Sequence, residues 1–456
     1  MTEKELLAKI DSSQGAELLA ELYGEDEVNA ARRRYKALIA AMLKDGSDGF
    51  PAAELSQADG NLRVFSAPGR TELGGNHTDH NRGKVLAASI QLDSVAIVQA
   101  RKDNAVFFRS AGYPDVKVKL ADSSGTPDLK PKPKEQGMTE SLVRGIAAEL
   151  NRRGCGAGGF SANAVSTVLA GSGLSSSAAV EVLFGRIFDC LYGEGKRSSL
   201  EIAQIGQIAE NTFFGKPCGL MDQTACATGG AVAINFADVA HPEVRQINFD
   251  LAAAGYALCV VNTRGSHADL TPDYAAIPAE MKAAAAFFGK TVLGELDRAT
   301  ILAAAADLRK AAGDRALLRA IHFFDENERV DAMAAALAAM DQAANAGEKQ
   351  RAISCYLELV NESGDSSWEL LQNVYSPRHP EAQGISAALA LSKNFFRKQK
   401  LQGAARVHGG GFAGTIQVYI PLDAMTAYSA NIEAVFGPGS VTVLRIRPRG
   451  AIELFV

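Results

Sequence analysis

The sequence contains no run of apolar residues near the 18 that a membrane-spanning helix needs. Its first ten residues, MTEKELLAKI, carry two acidic side chains and lack the basic segment and apolar core of a secretory signal. We therefore expect no membrane partner and a cytoplasmic location.

Positive charge is not in excess either, since 47 Lys and Arg stand against 52 Asp and Glu for a net charge of −5. No basic stripe stands out that could neutralise a run of phosphates, so nucleic acid is not expected as a partner. The six cysteines are scattered without a CxxC pair, which argues against both a zinc site and disulfides. A composition with 47% hydrophobic and 22% charged residues excludes wholesale disorder.

The length of 456 residues suits two domains, because hydrophobic cores tend to split beyond about 250–300 residues. Thr2 and Glu5 form a possible capping box at the start of the first of two amphipathic helices. From Leu62 onward, short β-rich runs predict a mixed sheet.

Helical patterns dominate much of the rest of the chain, and its alanine-rich segments are typical of closely packed structural helices. Strands and helices mix without a regular βαβα alternation, which favours an α+β protein over a doubly wound sheet. The expected helices lie at about 139–154, 177–193, 198–214, 219–228, 275–346, 348–396 and 423–436.

The most informative segment is VLAGSGLSSSAAV, residues 168–180, which follows a predicted strand and opens a predicted helix. Free N–H groups at such a helix start, with Gly171 and Gly173 permitting close approach, favour a phosphate group. No Lys follows the glycines as in a Walker A loop, and Ser176 stands where a dinucleotide fingerprint needs glycine. The serines at 175–177 offer hydroxyls to phosphate or to Mg²⁺. A plain turn with an N-cap is the alternative.

A second polar segment, APGRTELGGNHTDHNRG at residues 67–83, follows the first predicted strand. Arg70, Asn76, His77 and Asp79 together can bind a polyhydroxylated ligand, because a carboxylate can accept hydrogen bonds from two vicinal hydroxyls. An ordinary surface loop could have the same composition.

Two further segments carry candidate functional residues. ENTFFGKPCGLMDQ places Glu210 on a helix and Asp222 at the start of the next, where a carboxylate is commonly a cap. RVHGGGFAG, residues 406–414, has three adjacent glycines that permit either a tight turn or close backbone approach to a ligand.

In this order and at these separations, the four segments resemble the motifs of the GHMP kinases, specifically the galactokinase branch. GRTELGGNHTDHNRGKVL is similar to the galactokinase signature GRxNLIGEHxDYNxGxVL, and LAGSGLSSSAAVE is similar to the family's phosphate loop. CGLMDQ is similar to the catalytic-aspartate motif, and ARVHGGGFAG to the third motif, ARxTGGGFGG. The resemblance covers nearly the whole chain.

The resemblance implies the two-lobed α+β GHMP kinase fold with its site between the lobes. A ribosomal-protein-S5-like N-terminal lobe, residues 1–250, would carry the sugar-binding signature and the phosphate loop. A ferredoxin-like C-terminal lobe, residues 251–456, would carry the glycine-rich third motif.

The resemblance also implies roles for matching residues. Asp222 would act as general base or electrostatic orienter at the sugar's anomeric hydroxyl, and Arg70 would hold Asp222 ionised and stabilise the transferring phosphoryl group. Glu210 would bind Mg²⁺ with Ser177 or Ser175. The implied sugar-binding residues are Asn76, His77, Asp79, Gly219 and Tyr274, and the implied nucleotide-binding residues are Gly171, Ser172, Gly173, Leu174, Ser175, Ser176, Ser177 and Ala178.

Departures from the family pattern fall at the sugar end. Asn76 stands where galactokinases have a glutamate that contacts the sugar's 6-hydroxyl, Glu72 where they have asparagine, and His80 where they have tyrosine. Asn76 could still meet a hydroxyl, or could better tolerate a carboxylate at carbon six. His408 and Ala413 are milder changes in the third motif, although a Cβ at 413 could crowd a close approach.

The implied activity is ATP- and Mg²⁺-dependent phosphorylation of D-galactose to galactose 1-phosphate, with the sugar and ATP as partners and no obligate protein partner. The same chemistry on galacturonate, N-acetylgalactosamine or arabinose stays open. A non-catalytic galactose and ATP sensor is a further alternative, against which the intact Ser177-Ala178 step argues. The Asn-His-Thr-Asp cluster at 76–79 and the segment from Cys218 to Gln223 argue against a homoserine or mevalonate kinase.

Overall fold

The structure is a computed structural model that describes residues 1–44, 51–122, 124–156, 158–168, 173–266 and 269–456. Within them, two β-sheets with their covering helices form the predicted two-lobed α+β architecture. Among the helices of these residues, none combines the length and apolar character that crossing a bilayer requires.

Helices precede the first strand, where the sequence predicts two. The described residues form four there: α1 (Glu3–Asp11), α2 (Ser13–Tyr23), α3 (Val28–Leu43) and α4 (Ala52–Leu55). The predicted capping box is confirmed, because the Glu5 N–H donates to Thr2 Oγ1 and the Thr2 N–H donates to the Glu5 carboxylate at 2.8 Å. Side chains of α1–α3 pack on one face of the first sheet.

The strands of the described residues divide between two sheets. They are β1 (Arg63–Gly74), β2 (Lys84–Arg101), β3 (Ala105–Ser110), β4 (Val116–Lys119), β5 (Gly159–Ser166), β6 (Ala231–Asn235), β7 (Glu243–Ile247), β8 (Tyr256–Asn262), β9 (Ala404–His408), β10 (Thr415–Pro421), β11 (Val441–Leu444) and β12 (Ile452–Leu454). The first sheet has the order β12-β1-β2-β5-β3-β4, with β6 paired to β2 and β7 to β6. Its pairs are antiparallel apart from β3 with β5.

The second sheet has the antiparallel order β11-β8-β10-β9. The expected lobe boundary at 250/251 falls between β7 and β8, which lie in different sheets. The last strand departs from that division, because β12 returns to the first sheet and pairs with β1, with Leu454 opposite Val64. This pairing covers what would otherwise be an open strand edge.

The remaining helices cover the sheets and lie between the lobes. They are α5 (Thr139–Arg152), α6 (Ser176–Tyr192), α7 (Ser199–Ile208), α8 (Met221–Thr228), α9 (Thr271–Phe287), α10 (Arg298–Ala303), α11 (Ala305–Ala312), α12 (Asp314–Asp341), α13 (Ala346–Ser366), α14 (Gly384–Gln399) and α15 (Met425–Phe436). π-Helical turns extend α7 over Ala209–Phe214 and α13 over Ser367–Leu371.

The helices expected near 177–193, 198–214, 219–228 and 423–436 are confirmed. The prediction that each long alanine-rich stretch forms one continuous helix is wrong. Gly289 and Gly313, at φ +68° and +91°, interrupt the first stretch, since these conformations end a helix. The second stretch breaks after Gln372, at φ +58°, and resumes at α14.

An apolar core shared by both lobes positions the site. Leu73 of β1, Leu258 of β8, Met333 of α12 and Tyr356 of α13 are each at most 2% exposed and belong to one buried cluster. Because this cluster joins the two sheets, the end of β1 is held close to the loop that follows β9.

Candidate active site

The motif segments converge on two adjoining cavities. The smaller, of about 290 Å³, is lined by the end of β1 and its following loop, by residues between Lys216 and Asp222, and by Gly409 and Gly410. The larger, of about 520 Å³, is lined by β3, the start of α5, the start of α6 and Glu210. Lys216 lines both cavities, so they meet at this residue.

Arg70 and Asp222 form an ion pair at the smaller cavity. Arg70 Nε and Nη2 donate to Asp222 Oδ1 at 2.8 and 2.7 Å. The Arg70 side chain is 7% exposed and that of Asp222 is 33% exposed, so a ligand can reach the carboxylate while the guanidinium lies behind it. Burial lowers the pKa of Arg70, but the charges of Asp222 and Glu72 and the hydrogen bond to Asp222 together outweigh this effect, so the pKa is raised overall. The cavity therefore presents a carboxylate backed by a fixed cation.

The second oxygen of this carboxylate contacts the phosphate loop. The Ser175 hydroxyl donates to Asp222 Oδ2, and Ser175 adopts φ +58°. Arg70 binds the same loop, because its backbone N–H donates to Leu174 O at 3.0 Å and its guanidinium donates to Gly173 O. The loop and the ion pair are thus one connected unit.

The start of α6 meets the larger cavity. No side chain caps this end of the helix in the described residues, which leaves its first N–H groups available to an anion. Ser176 and Ser177 line the cavity, and Ala178 is 1% exposed behind them. Gly171 and Ser172, also predicted to bind nucleotide, lie outside the described residues.

Two buried carboxylates lie beside Ser177 in the larger cavity. Gln223 Nε2 donates to Glu181 Oε2 at 2.9 Å and to Glu210 Oε2 at 3.0 Å. Within the described part of the chain, Glu181 Oε1 has no hydrogen-bond partner. Burial, reinforced by the charge of Glu210, raises the pKa of Glu181 well above its usual range. Glu210 Oε1 accepts from Lys216 Nζ at 3.1 Å, so a positive charge already lies against this carboxylate.

Asn76 is held by hydrogen bonds to three residues of the protein. It is 1% exposed, and its Nδ2 donates to Glu72 Oε1 at 2.9 Å and to Gly409 O at 2.7 Å. Its Oδ1 accepts from Asn373 Nδ2 at 2.8 Å. Glu72 Oε1 also accepts from Arg406 Nη2 at 2.5 Å. Both amide hydrogens are used, which leaves a lone pair of Oδ1 as the group that Asn76 can offer a ligand.

His77, Asp79 and Gly219 line the smaller cavity next to Asn76. His77 Nε2 donates to Gly410 O at 3.0 Å, and burial lowers the pKa of His77 to about 4, so the imidazole is neutral at physiological pH. A Cβ on Gly219 would lie 1.8 Å from Asp79 Oδ2. Glycine at 219 is therefore what permits this close approach.

Tyr274 contacts the glycine loop and is not among the residues that line the smaller cavity. Its hydroxyl donates to Gly411 O at 2.9 Å, and a Cβ on Gly410 would lie 2.6 Å from its ring. Gly410 itself lines the smaller cavity. A direct contact of Tyr274 with a sugar stays a prediction.

The two departures in the third motif have structural explanations. His408 is 2% exposed and bridges the lobes, with Nε2 3.0 Å from Thr71 Oγ1 and Nδ1 3.0 Å from Thr415 Oγ1. Ala413 lies toward Gly265, where an added Cβ would be 3.3 Å from the Ala413 methyl group. Ala413 is not among the residues that line the smaller cavity, so the crowding expected at 413 does not fall in that cavity.

Several residues of the site were given no role from the sequence: Glu181, Lys216, Gln223 and Asn373. Glu181 could have been found, since it follows Ser177 by four residues and so shares its helix face. Asn373 carries no local signal because it follows α13 outside any motif.

Comparison with known proteins gives two family matches. Residues 141–230 match the GHMP kinases N terminal domain, and residues 54–100 match the galactokinase galactose-binding signature. A galactokinase of Streptomyces coelicolor is 32% identical over 388 residues, covering 84% of this chain and 91% of the relative. A galactokinase of Actinobacillus pleuropneumoniae is 31% identical over 359 residues, covering 78% of this chain and 84% of the relative.

Solved structures show the same fold. Lactococcus lactis galactokinase complexed with galactose matches with a TM-score of 0.71 at 24% identity, covering 88% of this chain and 98% of that one. Methanococcus jannaschii mevalonate kinase matches with a TM-score of 0.56 at 13% identity, covering 85% and 99%. With the GHMP kinase fold and the motif residues assembled around two cavities, the chain belongs to the galactokinase family of the GHMP kinases.

Proposed function

We propose that this protein phosphorylates the anomeric hydroxyl of D-galactose with ATP, forming galactose 1-phosphate and ADP. The observation that carries the proposal is the Arg70–Asp222 ion pair at the smaller cavity, beside the larger cavity that the start of α6 lines. The galactokinase relatives, which share about a third of their aligned residues with this chain, support the choice of sugar.

In the proposed reaction the sugar occupies the smaller cavity and ATP the larger. The anomeric oxygen attacks the γ-phosphorus, so that a new O–P bond forms while the bond to the oxygen bridging the β- and γ-phosphates breaks. The hydroxyl proton passes to the Asp222 carboxylate, and ADP leaves with the electron pair. Arg70 stabilises the charge on the phosphoryl group, whose transfer depends mainly on positioning and electrostatics.

Sugar binding is assigned to the polar lining of the smaller cavity. Asp79 accepts hydrogen bonds from vicinal hydroxyls, and Asn76 Oδ1 accepts one from the 6-hydroxyl end. His77 and Gly219 complete the contact, and Tyr274 holds the glycine loop through Gly411 O.

ATP binding is assigned to the larger cavity. Phe108, Val116 and Leu142 supply apolar surface for the adenine ring. Ser176 and Ser177, with the N–H groups at the start of α6, bind phosphate oxygens. A cytoplasmic location, as expected from the sequence, would supply the protein with both ATP and free sugar.

The residues of the larger cavity fit a magnesium ion. Glu210 Oε1 already accepts a cationic ammonium group, and the buried Glu181 Oε1 has no hydrogen-bond partner among the described residues. No cluster of three or more metal-ligating side chains occurs in the described ranges. Mg²⁺ in phosphoryl transfer, however, commonly takes one or two carboxylates plus substrate phosphates. Glu210 and Ser177 would hold the ion, which when bound neutralises charge on the phosphates.

Release of ADP with ATP and Mg²⁺ over a panel of aldoses tests this proposal. The panel contains galactose, galacturonate, N-acetylgalactosamine, glucose and arabinose. We expect turnover on galactose well above the rest. Preference for another sugar would support the same phosphoryl transfer with a different sugar as substrate. No turnover on any sugar would instead support a non-catalytic galactose and ATP sensor.

This chain has glutamate at 72 and asparagine at 76, whereas the galactokinase pattern has asparagine and glutamate in that order. A single and a double variant at these positions therefore test what the exchange does. Asn76→Glu alone places a carboxylate where Nδ2 now lies 2.9 Å from Glu72 Oε1 and 2.7 Å from Gly409 O. The new carboxylate then faces two hydrogen-bond acceptors, Glu72 Oε1 and Gly409 O, and no donor replaces Nδ2. We expect a loss of about 3 kcal/mol in the free energy of unfolding, as for an unpaired buried charge. Urea denaturation measures this loss.

The double variant Glu72→Asn/Asn76→Glu again has one carboxylate and one amide, as the parent does. Asn76 Nδ2 and Arg406 Nη2 both contact Glu72 Oε1, so a carboxylate at position 76 is expected to pair with Arg406. We expect its unfolding free energy to recover to within about 1 kcal/mol of the parent, since the buried charge is paired again. The rates on galactose and arabinose, which differ at carbon six, should shift relative to each other. Unchanged relative rates in this variant would show that position 76 does not select the sugar.

A further inference from the structure

Lys216 lies at the junction of the two cavities. It follows the π-helical turn Ala209–Phe214 and precedes α8, which carries Asp222. Of the described residues that line either cavity, Lys216 is the one common to both. Its side chain therefore lies where the donor and acceptor of a transferred group would meet.

The backbone at Lys216 is fixed while its side chain is exposed. The N–H groups of Gly215 and Lys216 donate to Glu210 O at 2.9 and 3.1 Å, and Gly215 adopts the left-handed conformation with φ +87°. The Lys216 side chain is 62% exposed, and its Nζ contacts Glu210 Oε1 at 3.1 Å. A flexible four-carbon stem on a fixed anchor lets the ammonium group move toward a bound phosphate.

The surrounding charges favour such a movement. Arg70 is held in place by Asp222 and Gly173 O. In the described part of the chain, Lys216 Nζ makes one ion pair, with Glu210, at the edge of both cavities. When the ammonium group turns to a phosphate oxygen, the buried Glu210 carboxylate keeps its hydrogen bond from Gln223 Nε2.

We propose that the Lys216 ammonium group binds the terminal phosphoryl group of ATP while it passes to the sugar, which makes Lys216 a catalytic residue in addition to Arg70 and Asp222. The inference rests on the proposed kinase function. As the new bond to the anomeric oxygen forms and the bond to the β–γ bridging oxygen breaks, negative charge spreads over the phosphoryl oxygens. The ammonium group neutralises part of that charge, while the proton still goes to Asp222.

Lys216→Met removes the charge and keeps the length of the side chain. We expect kcat to fall roughly 10- to 100-fold with KM for galactose unchanged within about twofold, because one partly exposed donor to the transition state is lost. Lys216→Arg should keep most of the turnover. The matched control is Lys196→Met, which removes a lysine that is 75% exposed and paired with Glu194; its kcat should equal that of the parent.

A binding measurement without metal separates this role from that of a simple partner of Glu210. By calorimetry in metal-free buffer, Lys216→Met should weaken ATP roughly tenfold and ADP less than about twofold, because ADP lacks the phosphoryl group that the ammonium group binds. Equal weakening of ATP and ADP, or an unchanged kcat, would overturn the proposal. If the parent protein phosphorylates no aldose, the proposed function fails, and the difference between ATP and ADP still decides the role of Lys216.

Discussion

Replacing Asp222 with asparagine is expected to lower kcat roughly 100- to 10,000-fold, the range for loss of a positioned general base. The amide keeps the size of the carboxylate but cannot take up the proton of the anomeric hydroxyl. Asp222 Oδ1 accepts from Arg70 at 2.7 Å and Oδ2 accepts from Ser175. An asparagine of the same shape can keep the hydrogen bond from Arg70 through its amide oxygen. Steady-state kinetics with galactose and ATP measure the change.

The control for this variant is Asp331→Asn, which alters a side chain that is 60% exposed and pairs with Lys84. It should leave kcat unchanged. Because Arg70 loses its counter-charge in Asp222→Asn, the variant should also unfold at a lower temperature, and circular dichroism at the assay temperature must confirm that it is folded. A folded Asp222→Asn protein that turns over as fast as the parent would exclude Asp222 from the reaction.

Replacing Arg406 with methionine should give the largest loss of stability, about 3–5 kcal/mol, because it leaves the buried Glu72 carboxylate unpaired. Arg406 is fully buried and donates to Glu72 Oε1 at 2.5 Å and to Leu73 O at 2.9 Å. These contacts join β9 of one sheet to β1 of the other. Urea denaturation measures the loss, with Arg152→Met as the control, since the Arg152 side chain is 65% exposed.

The loss should depend on pH in a defined direction. Burial raises the pKa of Glu72, and Arg406 is the largest opposing influence, so the variant raises that pKa further. A carboxyl whose pKa is higher in the folded than in the unfolded protein takes up its proton on folding, and its unfavourable contribution disappears as the pH falls. The difference in unfolding free energy between the Arg406→Met variant and the parent should therefore become smaller as the pH falls from 8 to 5.

A double variant, Arg406→Met/Glu72→Gln, removes both charges and should recover part of the stability at pH 8. With the single variant Glu72→Gln measured as well, the four unfolding free energies give the coupling between the two side chains. A gap that is the same at pH 5 and pH 8, and the same in the single and double variants, would show that lost packing rather than an unpaired charge causes the effect.

Local sequence signals predicted the local parts of the fold. The capping box at Thr2 and Glu5 is set by residues three apart, and the helices beginning at Ser176 and Met221 follow from short patterns. The long alanine-rich stretches misled the prediction, since alanine has high helix propensity but says nothing of where a chain must turn. Residues with positive φ, such as Gly313 and Gln372, end those helices.

For the candidate site, the sequence predicted some residue contacts and missed others. Arg70 and Asp222 were paired through the resemblance to a family, and the structure places them in contact. Asn76 was expected to be free to meet a sugar hydroxyl, whereas Glu72, Gly409 and Asn373 use most of its hydrogen-bonding capacity. No periodicity could have shown this, because two of those partners come from the other end of the chain.

The sequence by itself determined which residue types could carry the chemistry and in which short segments they lie. It also determined the helix starts and turns around those segments, because capping, glycine conformation and hydrophobic periodicity act over a few residues. The tertiary structure alone decided that Glu72 pairs with Arg406 across the lobes and that Lys216 faces both cavities. Such contacts arise from the packing of two sheets on a shared core, and packing joins residues hundreds of positions apart that share no local pattern.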